Sequence, residues 1–387
     1  MIGFIGAGLF SGWLFYFYFS ILHKNPKIFM RLFFLIFISI LFFNNITAQP
    51  LAAYTDNQNQ VMVWDRGMVR KIDYMQPTLM KTGRTAIPYL DNSRTFKIYY
   101  GGGVRTGSND IVNSFFVTDN LVAYLCQKSL NIFDRGVTKN LTGVCDQYFI
   151  GDSLVLFLDS YKGSYRAYYN GQFYNIETYF SDSVLSNIKV SDNIIAYDNF
   201  ANQFKIFYHG SVFMQEDYQV ISFDAGRNTV AYVDNDRKFK IFHNGKTILA
   251  DEMTPISYKV GDDLVAFISS DRYFKIFYDD SIRTIGTFHP SYQVADNIVA
   301  FKDAVGMFKI FYKGETTEME NYMPANLTIQ YNSVAYINSA NTLRLFSEGE
   351  AYDVTNADIA SWQLNYDVIS YQIGQGIFKV FYKGTEY

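Results

Sequence analysis

The chain has 387 residues, 49% hydrophobic and 18% aromatic, with 33 basic groups against 37 acidic ones and a net charge of −4. This composition excludes a disordered chain, and the excess of Tyr and Phe favours strands, whose half-buried surfaces suit aromatic side chains. An acidic balance without a basic run excludes a nucleic-acid binder, which needs clustered Lys and Arg against phosphate.

Residues 1–48 stand apart. Leu32 to Phe43 is an unbroken apolar run, preceded by Met30-Arg31 and followed by Asn44-Asn45-Ile46-Thr47-Ala48. A basic start, an apolar stretch and a small residue before a cut predict a secretory signal cleaved after Ala48, leaving Gln49 at the N-terminus. Met1 to Leu22 is also apolar and nearly long enough to span a bilayer. Two readings fit: Met30 is the true start and 1–29 a mis-called extension, or the chain carries an additional transmembrane helix. Either way residues 49–387 are expected to be exported, to the periplasm or the cell exterior, with a membrane anchor only if 1–48 is retained. Removing 1–48 takes Lys24, Lys27 and Arg31 and no acid, leaving 30 bases against 37 acids and a net charge of −7.

From Val61 onward one phrase recurs. Phe204-Lys205-Ile206-Phe207-Tyr208-His209-Gly210 has near copies at 239–245, 274–280, 308–314 and 378–384. Weaker copies fall at 96–102, 165–171 and 343–349, and the most worn at 130–136 and 61–67. Their closing positions are 34 or 35 residues apart, with one interval of 39. Ten copies at so even a period signal a repeat architecture, and no linker interrupts it.

Within one copy, Tyr292 to Ala295, Ile298 to Phe301, Phe308 to Tyr312 and Glu315 to Met319 are short runs separated by Asp, Asn and Gly turn signals. That pattern predicts four antiparallel strands joined by tight turns. The first turn carries Asp119-Asn120, Asp192-Asn193 and Asp296-Asn297, with Asp152-Ser153 and Asp262-Asp263 as variants, residues that tolerate left-handed backbone. The second strand repeats as Val230-Ala231-Tyr232, Val265-Ala266-Phe267 and Val299-Ala300-Phe301, apolar on both faces and so stacked between neighbouring sheets. The fold expected is all-β: a β-propeller of about ten antiparallel blades of roughly 35 residues. So short a period implies brief outer strands, or blades of three strands. Two stacked five-bladed rings remain an alternative, and closure is open at blade one, where the chain enters within a second strand at Leu51.

The run Tyr292 to Phe301, followed by Phe308 to Gly314, resembles the repeat of TolB-type propellers, in which a strand ends at an Asp turn, a second ends in an aromatic and a third closes on Gly. The resemblance covers about 51–387 and implies the propeller class. The Ser-Pro-Asp-Gly turn typical of that repeat does not occur.

Chemistry is sparse. A basic residue follows the leading residue of the phrase in eight copies: Lys97, Arg166, Lys205, Lys240, Lys275, Lys309, Arg344 and Lys379. Ring symmetry would set them in a circle able to hold an anionic polymer, or each pairs locally with an acid such as Asp91, Asp159, Asp234 or Asp303. Cys126 and Cys145, half a repeat apart, form a structural disulfide or are two buried thiols. Asp234-Asn235-Asp236 lacks the Gly and distal Glu of a calcium loop. His209 and His243, beside the repeat-closing turn, are expected to be exposed. No catalytic constellation, metal site or cofactor motif is legible. Two functions follow: a monomeric binding scaffold for a protein or glycan, or a carbohydrate-active or peptide-processing enzyme with acids in the central funnel. Unlike acids converging at the funnel mouth would favour the enzyme, and a ring of equivalent residues the scaffold.

Overall fold

Each copy of the phrase forms a strand of its own antiparallel sheet, the third of four in blades 2 to 10 and the second of three in blade 1. The computed structural model describes residues 49–178, 184–185 and 187–387, so the expected signal segment lies outside the described residues. Residues 49–387 form one unit of ten sheets, one of three strands and nine of four. In chain order the blades occupy 52–73, 79–108, 112–142, 145–178, 188–216, 222–251, 257–286, 292–320, 327–355 and 359–386. Blade 6 is representative: Ser222–Gly226, Thr229–Val233, Phe239–His243 and Lys246–Asp251 pair in sequence order.

Alternation along the strands explains the stacking. Val230 and Tyr232 of blade 6 face blade 5, packing with Ile194, Ala196, Phe204 and Ile206. Ala231 faces the other way, toward Val265, Phe267 and Phe277 of blade 7. The small Ala makes room for the next blade's bulky residues, which is why it recurs between two large ones. The leading Phe packs on the aromatic that ends the next blade's second strand, as in Phe239–Phe267 (5.1 Å) and Phe274–Phe301 (5.3 Å). Tilted aromatic pairs of this kind add to the burial itself.

Short strands occur at both edges of the sheets. Most outer strands run six residues, such as Ser211–Glu216, but that of blade 10 is only Thr385–Glu386, and first strands range from Leu79–Met80 and Ile188–Val190 to Ile359–Asn365. First strands of successive blades lie directly against one another, nearest the axis, where the circumference is smallest and ten blades crowd. Here a Cβ on Gly226 would stand 1.8 Å from the Gly261 carbonyl oxygen, so only glycine permits the approach. Blade 1 alone has three strands, its sheet beginning at Ala52–Thr55.

The ring closes between blades 10 and 1. Asn365 Nδ2 donates to the Leu51 carbonyl at 2.7 Å, Tyr54 stacks on Phe378 at 4.7 Å, and Trp64 is fully buried among Ala52, Val368, Val380 and Tyr382. Neither five-bladed stacking nor an open array is adopted.

Candidate functional site

One face of the ring carries the hairpins between first and second strands and those between third and fourth. The latter are two-residue turns with both residues at positive φ, as in His209 (48°) and Gly210 (84°), or Lys313 (48°) and Gly314 (86°). Right-handed strand twist selects this turn, and its second position favours glycine, which is why each phrase ends on Gly. Blade 7 alone departs, with Asp279 and Asp280 both at φ 52°. A left-handed Asp costs on the order of 1 kcal/mol relative to Gly.

What Asp280 gains is an ion pair. Its Oδ1 lies 2.7 Å from His243 Nδ1, and His243 Nε2 lies 3.0 Å from Asp263 Oδ1. His243 ends a third strand that closes on Tyr in six of the ten copies, and Asp263 occupies a turn position held by Asn in blades 3, 5, 6, 8 and 9. Three departures from the repeat thus meet in space. His243 is buried, not exposed as its place beside a turn suggested, because the neighbouring blade's turn covers it. Burial alone would lower its pKa, but hydrogen bonds to Asp263 and Asp280 outweigh that and hold it above the ordinary histidine value. Both ring nitrogens lie within hydrogen-bond distance of a carboxylate, so the imidazole is held from two sides. Asp280→Gly should restore the relaxed turn and bring the His243 pKa down while Asp263 still holds the ring. Imidazole NMR titration would show this, and an unchanged titration would dissociate Asp280 from the pair.

These groups line a cleft of about 520 Å³ that crosses four blades, from Asn228 and Asn244 past Tyr278 and Asp279 to Tyr312, Lys313 and Asn332. The second turn residues link blade to blade along its inner side. Asn193 Nδ2 donates to Asn228 Oδ1 (2.6 Å), Asn228 Nδ2 to Asp263 Oδ1 (3.0 Å), and the Asn297 N–H to Asn332 Oδ1 (3.0 Å). A smaller hollow lies at the equivalent seam of blades 3 and 4, bounded by Asn120, Asp134, Arg135 and Ser153. The cleft offers amides, phenols, an ammonium and carboxylates, and His243, its one imidazole, is locked. Among the described residues no group of three or more His, Cys, Asp or Glu is arranged to hold a metal ion.

Inside this groove, at the axis, the first residues of the same turns converge. Asp119, Asp152, Asp192, Asp262 and Asp296 come from blades 3, 4, 5, 7 and 8, and Asp119 and Asp296 interact from opposite sides of the ring. Arg84 of blade 2 lies 4.5 Å from the Tyr331 ring and 3.9 Å from Asp119. Burial and then mutual repulsion raise the pKa values of Asp119, Asp192, Asp262 and Asp296, Asp192 furthest, to about 10. Asp192, beside Asp152 and Asp262, is the one of these carboxyls whose charged form is most disfavoured. In the sequence these residues read only as turn formers. Five acids at one phase of a closed repeat must meet at the axis, and that was the available signal.

The sequence model described as "10-bladed beta propeller domain" matches residues 45–387. The chain belongs to that family. No curated protein matches this ten-bladed propeller. Several solved structures are similar to the chain at a low level. The computationally designed Ika8 protein is 16% identical, with a TM-score of 0.33 over 71% of this chain and 97% of that one. PorZ, an essential bacterial surface component of the type-IX secretion system of Porphyromonas gingivalis, is 9% identical, with a TM-score of 0.29 over 79% of this chain. The propeller spans about half of the PorZ chain, 51%. The CRINKLY WD40 ectodomain of the Arabidopsis thaliana receptor kinase ACR4 is 9% identical, with a TM-score of 0.31 over 61% of this chain and 90% of that one.

In the ten-bladed propeller each of the eight repeated bases has an acid within reach. Lys97 meets Asp73 (3.0 Å) and Asp91 (2.9 Å), Arg166 meets Asp159 (3.1 Å), and Lys205 meets Glu177 (3.1 Å). Lys240 meets Glu216 (2.7 Å) and Asp234 (2.8 Å), Lys275 meets Asp271 (3.8 Å), and Lys309 meets Asp303 (3.1 Å) and Glu318 (2.9 Å). Arg344 meets Glu320 (2.8 Å) and Asp353 (2.7 Å), and Lys379 meets Glu386. Asp73, Glu177, Glu216 and Glu320 lie at or next to the end of the previous blade's outer strand and also accept a tyrosine hydroxyl, as Glu216 does from Tyr232 at 2.9 Å. This Tyr–acid–base buckle across a blade boundary was not anticipated, although the acid recurs at one phase of the repeat. The bases lie in separate seams, each neutralised locally.

The disulfide alternative is not realised. Cys126 packs in the seam between blades 2 and 3, its Sγ 3.3 Å from Ser108 Oγ, and Cys145 in the seam between blades 3 and 4. The sheet of blade 3 stands between them. Burial pushes the Cys145 thiol up to about 12, which leaves it unreactive.

Proposed function

We propose that this ten-bladed propeller is an exported, non-enzymatic binding scaffold that engages a protein partner through the groove on its hairpin face. The observation that carries this reading is the cleft in which His243, Asp263 and Asp280 depart together from the repeat. A departure that costs backbone strain yet leaves the imidazole locked fits a recognition surface better than a proton-transfer site. The acids at the axis support the same reading, since they are equivalent residues of one turn gathered by the ring rather than unlike residues set around a substrate. Kinship with TolB-type propellers belongs to this proposal and rests on the run from Tyr292 to Gly314. Export, to the periplasm or the cell exterior, rests on Met30 to Ala48, with 1–48 serving as an anchor if it is retained.

The test is affinity capture of envelope components on the mature chain, beside the Asp280→Gly and Lys313→Glu variants. Enrichment of one protein, lost with the variants, is the expected result. A polysaccharide captured instead would replace the protein partner by a glycan, and a protein held equally by all three chains would move the interface off this face. Mass spectrometry of the exported product should give Gln49 as its first residue.

A further inference from the structure

His243 Nε2 lies between two groups that demand opposite roles of it. Asp263 Oδ1, an acceptor, is 3.0 Å away, and Asn244 Nδ2, a donor, is also 3.0 Å away. The Tyr208 hydroxyl donates to Asn244 Oδ1 at 3.0 Å, which turns the N–H edge of that amide toward the imidazole. One nitrogen cannot serve both neighbours at once. Protonated, Nε2 donates to Asp263 and opposes the amide N–H. Deprotonated, its lone pair accepts from Asn244 and opposes the carboxylate. Nδ1 has no such choice. Its neighbour at 2.7 Å is Asp280 Oδ1, which as a carboxylate only accepts, so Nδ1 keeps its proton in both forms.

We propose that His243 is a proton-operated switch in the groove, its Nε2 passing from Asp263 to Asn244 as the proton leaves. The inference rests on the groove being the partner site and adds its regulation. The ring keeps its place in both forms, held by Asp280 and by the Phe277 ring 5.2 Å away. What changes is Asp263. Its side chain is 38% exposed, and without the imidazolium it retains Asn228 Nδ2 at 3.0 Å and the nearby charge of Arg227. Among the described residues, the titratable and charged groups around the switch come from each element packed on it. Blade 7 supplies Asp263 and Asp280, the first turn of blade 6 supplies Arg227, and blade 5 supplies Tyr208. Lys246 is the cross-strand neighbour of His243 on the outer strand. Two carboxylates against one imidazolium hold its midpoint above the ordinary histidine value. Above that midpoint the groove is one charge more negative, with Asp263, Asp279 and Asp280 against Lys313. A Lys or Arg of the partner is then held above the midpoint and released as pH falls through it.

The experiment is NMR of the full chain, expressed with residues 1–48, purified in the mature form that results, and labelled with ¹⁵N-histidine. Titration from about pH 5 to about pH 10 should show a single His243 transition that ends in the Nδ1–H tautomer. Asn244→Asp removes the donor and sets an acceptor in its place, so the midpoint should rise by about one unit or more. The left-handed turn tolerates Asp there, as Asp279 shows at the same position of blade 7. Asp263→Asn should lower the midpoint. An Nε2–H tautomer at high pH overturns the inference, and so does a His243 that stays in one protonation state throughout. Affinity capture on either side of the measured midpoint, beside His243→Gln, then reads the regulation. Retention of the partner should be greater above it in the parent and equal in the variant. A partner held equally by the parent at both pH values overturns the regulation. Failure to capture any protein counts against the groove as a partner site, and the tautomer still decides the switch.

Discussion

Trp64→Ala is expected to open the ring between blades 1 and 10 and to cost on the order of 4 kcal/mol in denaturant unfolding. Trp64 is fully buried, its ring 5.2 Å from that of Tyr382 and 5.3 Å from that of Tyr387. Its Nε1 has no hydrogen-bond partner, so its contribution is packing alone. The seam matters because no strand is exchanged across it: the three strands of blade 1 lie within 52–73 and the four of blade 10 within 359–386. What closes it is the buried indole, the Tyr54–Phe378 stack and the Asn365 amide. An opened ring becomes a linear array whose end blades each lose a neighbour, so a second, earlier unfolding transition should appear. Trp362→Ala is the control. That ring is only half-buried within one seam and should cost less than about 2 kcal/mol. Equal losses in the two variants would refute a special role for the closing seam.

The second large effect is on pH dependence. Asp119, Asp192, Asp262 and Asp296 have pKa values raised by burial and then by one another's charge. Between the ordinary carboxyl value near 4 and these raised values, the folded ring holds protons that the unfolded chain has released. The native state then binds more protons, so stability falls as pH rises, by about 1 kcal/mol per unit for each group in its window. The thermal midpoint should accordingly be highest near pH 5 and decline toward pH 9. Asp192→Asn keeps a donor between Asp152 and Asp262 but removes the titration, so it should flatten that slope and raise the midpoint at pH 8. A midpoint that climbs from pH 5 to pH 8 in the parent would show the cluster to be ionised or neutralised by a bound cation. Most proteins fall apart in acid because paired carboxylates must be protonated, and this ring should behave oppositely.

Much of this molecule could be read from the chain. The period of the FKIFY phrase gives ten blades, and the Gly that ends each phrase gives the left-handed turn. Val-Ala-Tyr between turns gives a strand buried on both sides, with Ala marking the side where the next blade leans in. All of these are local demands of backbone and side-chain size, repeated until chance is excluded. The sequence could not say which first strands would be short, Leu79–Met80 and Ile188–Val190 among them, because that follows from how neighbouring blades pack about the axis. It placed Cys126 and Cys145 half a repeat apart but not on opposite sides of one sheet. It showed Asp119, Asp152, Asp192, Asp262 and Asp296 as five separate turns, and only closure of the ring made them one cluster with shared protons. His243, Asp263 and Asp280 are up to 37 residues apart on two blades, and each alone reads as a worn copy of the repeat. Which worn copies face each other is decided by the packing of whole blades, a long-range property that no local pattern encodes.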